Sequence, residues 1–157
     1  VIPQTNIDYV GLYWYYSAML RISRRTDYAV RMMIAVARAP YGTFIPAPQI
    51  GAQQGIPQPF LAKVVGDLKR GGLILTAAGR SGGLSLTRPP AAITLRHIVE
   101  AVEGPIVLNA ALVQADESRS AHRTDPVHST WQRIQQVLED ELDAVTLAAL
   151  AARVRQA

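Results

Sequence analysis

Basic side chains gather at three places in this 157-residue sequence. Arg21, Arg24 and Arg25 precede or open one apolar-periodic segment. Lys63, Lys69 and Arg70 lie with Gln58 on the polar side of another, and Arg80 and Ser81 stand in the turn Gly79-Arg80-Ser81-Gly82-Gly83. Lysine and arginine neutralise phosphate oxygens, and a side-chain amide near a helix start can reach base edges. An arginine at a glycine-flanked tip suits a narrow groove. Other chemistries lack their residues. The absence of cysteine excludes disulfides, thiolate metal sites and cysteine nucleophiles. There is no Walker loop and no G-x-G-x-x-G, and Gly79 to Gly83 reads as a turn between two β-like runs, so no enzyme and no nucleotide cofactor are expected. His122, His128, Asp116, Glu117 and Asp125 follow no metal-ligand spacing, and no metal is expected.

The positive charge is concentrated. Residues 20–90 hold ten lysines and arginines against two aspartates, whereas residues 91–157 hold six basic and nine acidic residues. The whole chain carries a formal net charge of +4, with 49% hydrophobic and 18% charged residues, a composition that folds. A basic half on a mildly acidic half implies an anion-binding module joined to an element with another task. No apolar run approaches the roughly 18 residues of a membrane span, and no secretory leader is visible. A cytoplasmic protein without membrane contact is expected.

The elements that must position these side chains are legible from spacing. Residues 1–18 form an aromatic N-terminal extension, with Tyr9, Tyr13, Trp14, Tyr15 and Tyr16. It reads as a covering arm, an interaction segment or translation from an upstream start. Ser23 caps a helix over 24–38, with Asp27 in its first turn and Ala29, Val30, Met33, Ile34, Val36 and Ala37 on its apolar side. A short helix with Ile50 inward ends at Gly55, and Gly55-Ile56-Pro57 turns into a second helix. That helix has the stripe Phe60, Leu61, Val64, Val65 and Leu68, and Gly71-Gly72 stops it. Two short helices about a tight turn, the second basic outward, form a helix-turn-helix pattern. Residues 73–76 and 84–87 read as a hairpin closed by Pro89-Pro90, the second strand alternating as a half-buried strand does. This hairpin is a wing. Thr94 caps a helix carrying Leu95, Ile98, Val99 and Val102. A polar loop, 114–125, precedes the longest helix, 126–144, whose Val127, Trp131, Ile134, Leu138, Leu142 and Val145 make a continuous seam. Thr146 caps a last helix with Leu147, Leu150 and Val154. The expected fold is mainly α with a small β-hairpin wing. A winged helix-turn-helix domain spans 19–90, and a linker helix, loop and dimerisation helices span 91–157.

From Met19 to about Leu150 the chain resembles the Rrf-two family of bacterial winged-helix transcription regulators. The resemblance rests on Leu20-Arg21-Ile22-Ser23…Thr26-Asp27-Tyr28-Ala29, Ile56-Pro57…Phe60-Leu61-x-Lys63-Val64 and Leu68-Lys69-x-Gly71-Gly72-Leu73. It continues with Gly79-x-x-Gly82-Gly83…Leu86-x-Arg88-Pro89-Pro90 and Ile93-Thr94…Ile98-Val99-Glu100-Ala101-Val102-Glu103-Gly104. It implies a homodimeric regulator, a repressor, bound to a near-palindromic double-stranded operator with two recognition helices roughly one helical turn apart. Cluster-binding members carry three cysteines between the Glu-Gly turn and the tryptophan. Here Asp125 occupies the last cysteine's position and His128 that of a cluster histidine, so no iron–sulfur cofactor is expected. Asp125 and His128 then bound a candidate effector region for a small molecule or protein. Ala78 and Leu84 replace the arginine and tyrosine of many relatives, which leaves an alternative: a protein-interaction module that no longer reads DNA specifically.

Overall fold

The structure, a computed structural model, describes residues 22–108, 112 and 126–154. The N-terminal extension, Arg21, Asp125 and the loop 114–125 lie outside them. The order is α1 (Arg24–Ala37), α2 (Ala47–Gln54), α3 (Gln58–Arg70), β1 (Ile74–Ala77), β2 (Gly83–Leu86), a 3-10 turn (Pro90–Ala92), α4 (Leu95–Glu103), α5 (Pro126–Ala144) and α6 (Leu147–Arg153). It is a helical fold with a two-stranded antiparallel hairpin, in the winged helix-turn-helix arrangement.

Helix α1 is the centre. Ala29, Met32, Met33 and Val36 recur at helical spacing and are buried. Against them pack α2, α3, α4, α6 and β2. Ser23 caps α1 by accepting from the Thr26 amide. Gly55 ends α2 in the left-handed conformation, and Leu61, Val64 and Leu68 seat α3 on the core. The C-terminal end of α3 lies so close to α4 that a Cβ on Gly71 would stand 2.5 Å from that of Ala101.

The stripe expected on α3 is corrected at two positions. Phe60 is 36% exposed, its ring edge-on to Tyr28 with centroids 5.3 Å apart, whereas Val65, half-buried, packs against the core as expected. Asp67 takes a place on the buried side. The hairpin pairs Ile74 with Leu86 and Ala77 with Gly83. Its second strand does not alternate: Leu84, Ser85 and Leu86 are all buried. Both of its faces are covered, and a third segment takes its free edge. Ile45 bridges Leu84 through N–H···O bonds of 2.8 and 2.9 Å, so β2 is flanked on both edges. A Cβ on Gly83, whose φ is +148°, would meet the Ile45 carbonyl oxygen at 2.2 Å.

Thr94 caps α4 and shares a capping box with His97, while Thr146 caps α6. Segments 93–95 and 145–147 pair through Leu95 N–H to Val145 O and Leu147 N–H to Ile93 O, both 2.8 Å. At the far end of α4 the Glu103 carboxylate accepts from the Ser23 amide (2.9 Å), the Ser23 hydroxyl (2.6 Å) and the Thr26 hydroxyl. Burial alone would raise its pKa. The Ser23 and Thr26 hydroxyls, the Ser23 amide and Arg25 outweigh that and hold it below the ordinary glutamate value.

A carboxyl depressed in the folded state stabilises above its unfolded pKa, about 4.3, and loses that contribution as pH falls through the folded value. Glu103→Ala should therefore cost about 1–3 kcal/mol at neutral pH. Glu103→Gln should melt below the native chain at pH 7, with the gap narrowing below about pH 4. Thermal melts at the two pH values check this; an equal gap at both would contradict it.

Candidate nucleic-acid interface

Helix periodicity and burial together define what α3 shows to solvent. At about 100° per residue, Gln58 and Lys69 fall on one border of its exposed arc and Lys63 and Arg70 on the other. All four are exposed. Between the borders lie Pro59, Ala62 and the half-buried Gly66. Sequence reading missed Ala62 and Gly66, although small residues between cationic borders are what lets a helix backbone approach a surface closely.

The Lys63 border faces the start of α1. Ile22, Ser23, Arg24, Arg25, Phe60, Lys63 and Glu103 line one cavity of about 510 Å³. Arg24 and Lys63 are exposed and have no acidic partner among the described residues. Arg25 differs. Its Nε lies 3.2 Å from Asp67 Oδ2, and its Nη2 donates to the Val102 carbonyl at 2.7 Å, so it joins α1, α3 and α4. Arg70 also pairs with Asp67 while its side chain stays 74% exposed. Arg80 and Ser81 are exposed at the hairpin tip, which Gly82 N–H closes on the Gly79 carbonyl at 3.0 Å. The wing's base is tied by Thr87, whose hydroxyl donates to Gly72 O at 2.7 Å and whose carbonyl accepts from the Tyr41 hydroxyl at 3.3 Å. Leu84, noted above as a departure in the wing, is a core residue.

Helix α5 buries no residue. Val127, Trp131 and Ile134 of the seam are exposed, as is Val137, which the sequence reading left out; Leu138, Leu142 and Val145 are half-buried. Polar contacts fix α5 to α4. Arg96 reaches Glu100 (3.0 Å), Glu139 (3.0 Å) and Asp143 (3.2 Å), and Thr94 donates to Asp143 at 3.0 Å. The Glu100 hydrogen bond raises the Arg96 pKa further; partial burial opposes it, and Asp143 and Glu139 reinforce it. Gln135 accepts from Leu108 N–H at 2.9 Å and donates to Ile106 O at 2.5 Å, tying α5 to the segment after α4. None of these long-range pairs has a local sequence signature. His128 is half-buried in the first turn of α5. No helix among the described residues is long and apolar enough to cross a membrane.

The family model described as "Rrf2: Iron-dependent Transcriptional regulator" matches residues 22–153. Rv1287 of Mycobacterium tuberculosis, a candidate HTH-type transcriptional regulator, is 30% identical over 132 residues, covering 84% of this chain and 81% of its own length. The HTH-type transcriptional regulator IscR of Erwinia tasmaniensis is 27% identical, covering 83% of this chain and 78% of its own length. Among solved structures, CymR, the global cysteine regulator of B. subtilis, superposes with a TM-score of 0.67 at 28% identity, covering 86% of this chain and 98% of its own. T. potens IscR, at 24% identity and a TM-score of 0.62, shares the fold. The thiolates that hold an iron–sulfur cluster are missing from this chain. The sequence has no cysteine, and among the described residues no group of three or more His, Asp or Glu side chains could hold a metal ion. With a family match over most of its length and a helix-turn-helix and wing in the expected places, the chain belongs to the Rrf2 family of transcriptional regulators, not to an enzyme family.

Proposed function

We infer that the chain is a homodimeric repressor that reads double-stranded DNA with α3 and the wing. The observation that carries this reading is the exposed arc of α3, a strip of small residues bordered by Gln58 and Lys69 on one side and Lys63 and Arg70 on the other. A strip of that kind enters a major groove while its borders meet the flanking phosphates. The start of α1 adds a second argument. Arginine in a first turn opposes the helix dipole, and Arg24 stands there exposed beside Lys63. An anion at that place would relieve the repulsion. Arg80 and Ser81 at the wing tip are placed for a minor groove. Arg25 supports this surface by holding Asp67 rather than as a free cation.

Dimerisation rests on the apolar strip Val127, Trp131, Ile134 and Val137, exposed along α5 of a single chain. A second copy of the same helix would cover it. Two-fold symmetry then spaces the recognition helices for a near-palindrome, and occupation of such a site at a promoter represses by exclusion. His128, at the start of α5, borders the candidate effector region, whose other residue, Asp125, lies outside the described residues.

A gel shift on the chain's own upstream region at two salt concentrations tests the reading. Specific binding that survives competitor DNA is expected, while weak binding erased by salt would favour the protein-interaction alternative. Lys63→Ala should weaken binding to every sequence and flatten the salt slope by about one unit, whereas Gln58→Ala should relax base preference more than it lowers non-specific affinity. If neither change alters affinity or preference, α3 is not the reading helix.

Ile134→Asp should shift sedimentation from dimer toward monomer, because an unpaired charge would enter the interface. A dimer unchanged in this variant and in Leu138→Asp would place the interface elsewhere.

A further inference from the structure

The reading helix α3 carries a single carboxylate, and it is buried. Asp67 is 4% exposed, on the side otherwise occupied by Leu61, Val64 and Leu68. Its Oδ1 accepts from Arg70 Nη2, while Oδ2 lies 3.2 Å from Arg25 Nε without hydrogen-bond alignment. A carboxylate taken out of water with one oxygen incompletely satisfied costs stability relative to an apolar side chain of similar size. Core packing therefore does not account for an aspartate here.

The contacts give another account. The Val102 carbonyl on α4 holds Arg25 Nη2, Arg25 faces Asp67, and Asp67 holds Arg70. Residues of three helices thus meet at one buried carboxylate: its Oδ2 faces Arg25, and its Oδ1 holds the guanidinium of an arginine on the exposed border of α3. Arg70 folds back along the helix, with Nη1 3.8 Å from where a Cβ on Gly66 would stand. Only Nη2 is engaged by Asp67, and the side chain is 74% exposed, so its other N–H donors remain available on the solvent side. A free arginine must be ordered at the moment it binds; one already held by a carboxylate has met most of that entropy cost.

We propose that Asp67 is a positioning residue for DNA recognition: it buttresses Arg70 so that the free edge of the guanidinium is aimed in advance at a backbone phosphate beside the groove α3 enters. This rests on the DNA-binding reading above. The buttress acts in a docked complex of fixed register, where geometry counts, and not in loose non-specific complexes governed by net charge.

The test uses the full chain, a duplex selected by the native protein from a random-sequence library, and a scrambled duplex of the same composition. Affinities are measured by fluorescence anisotropy across a salt series. Asp67→Asn removes a negative charge, so bulk electrostatics alone would tighten binding to both duplexes. The buttress predicts instead a loss of about threefold to tenfold on the selected duplex, the ordering cost of one arginine side chain, with no loss on the scrambled one. The salt slope on the selected duplex should stay the same in Asp67→Asn but flatten by about 0.9 in Arg70→Gln, which removes the contact itself. In the Arg70→Gln background, Asp67→Asn should cost nothing further. If it still costs as much there, Asp67 holds the helix and does not aim Arg70; if it tightens binding to both duplexes, the carboxylate is a plain repulsive charge. Either result overturns the proposal. Should Asp67→Asn fail to melt cooperatively, Arg70→Lys decides: a point charge in place of the fork should lose selected-duplex affinity nearly as Arg70→Gln does, and full retention overturns the buttress. A native protein that selects no duplex would refute the DNA reading and this inference together, whereas normal selection with additive variants would refute this inference alone.

Discussion

Ala29, Met32, Met33 and Val36 leave almost none of the inward side of α1 in contact with water, and α2, α3, α4, α6 and β2 all pack on that one helix. Each element's attitude is set against the same surface, so a shift of α1 would move the helix-turn-helix, the wing and the linker helix together. Burying these side chains contributes about 1.5–3 kcal/mol for each large residue, and the return is rigidity as much as stability, since close-packed interiors do not deform smoothly. The polar contacts at the rim of α1 act in the same direction. Ser23 and Thr26 meet Glu103 at one end of α4, and Arg25 meets Asp67 and Val102.

The surface that results separates two tasks. The exposed arc of α3, the first turn of α1 and the wing tip carry cations, most of them without acidic partners among the described residues. In the second half, among the described residues, the ion pairs gather where α4 meets α5. Arg96 is held by Glu100, Glu139 and Asp143, and Gln135 joins α5 to the segment after α4. Among the described residues, the first half thus presents an open cationic face, and the second holds the ionic ties between α4 and α5. Those ties orient α5 relative to the winged domain and leave its apolar strip exposed.

Much of this was legible in the sequence because the rules involved are local. Ser23, Thr94 and Thr146 act as caps, Gly55 and Gly71 end helices, and the periodic apolar residues of α1, α3 and α4 are buried or half-buried, with Phe60 as the exception. The family motifs sit on these same positions, which is why resemblance and physics agree. What could not be read depends on contacts between distant residues. Nothing near Asp67 in the chain indicates that Arg25, on another helix, would draw it inward, and nothing near Ser85 announces Ile45 as a third partner for the strand. Charged residues on a helix look alike in sequence whether they face solvent or a partner some 80 positions away, as Glu103 does with Ser23. The basic residues were identified as a group, but their division into open cations (Arg24, Lys63, Lys69, Arg80) and engaged ones (Arg25, Arg70) required the fold.

The central claim is that two copies of this chain present two α3 helices to one face of DNA. Hydroxyl-radical footprinting of the full-length protein on a duplex it has selected tests that most directly. The account predicts two protected patches related by two-fold symmetry, with centres about 10–10.5 base pairs or a whole multiple apart. A single protected patch, or uniform protection that ignores sequence, would contradict it.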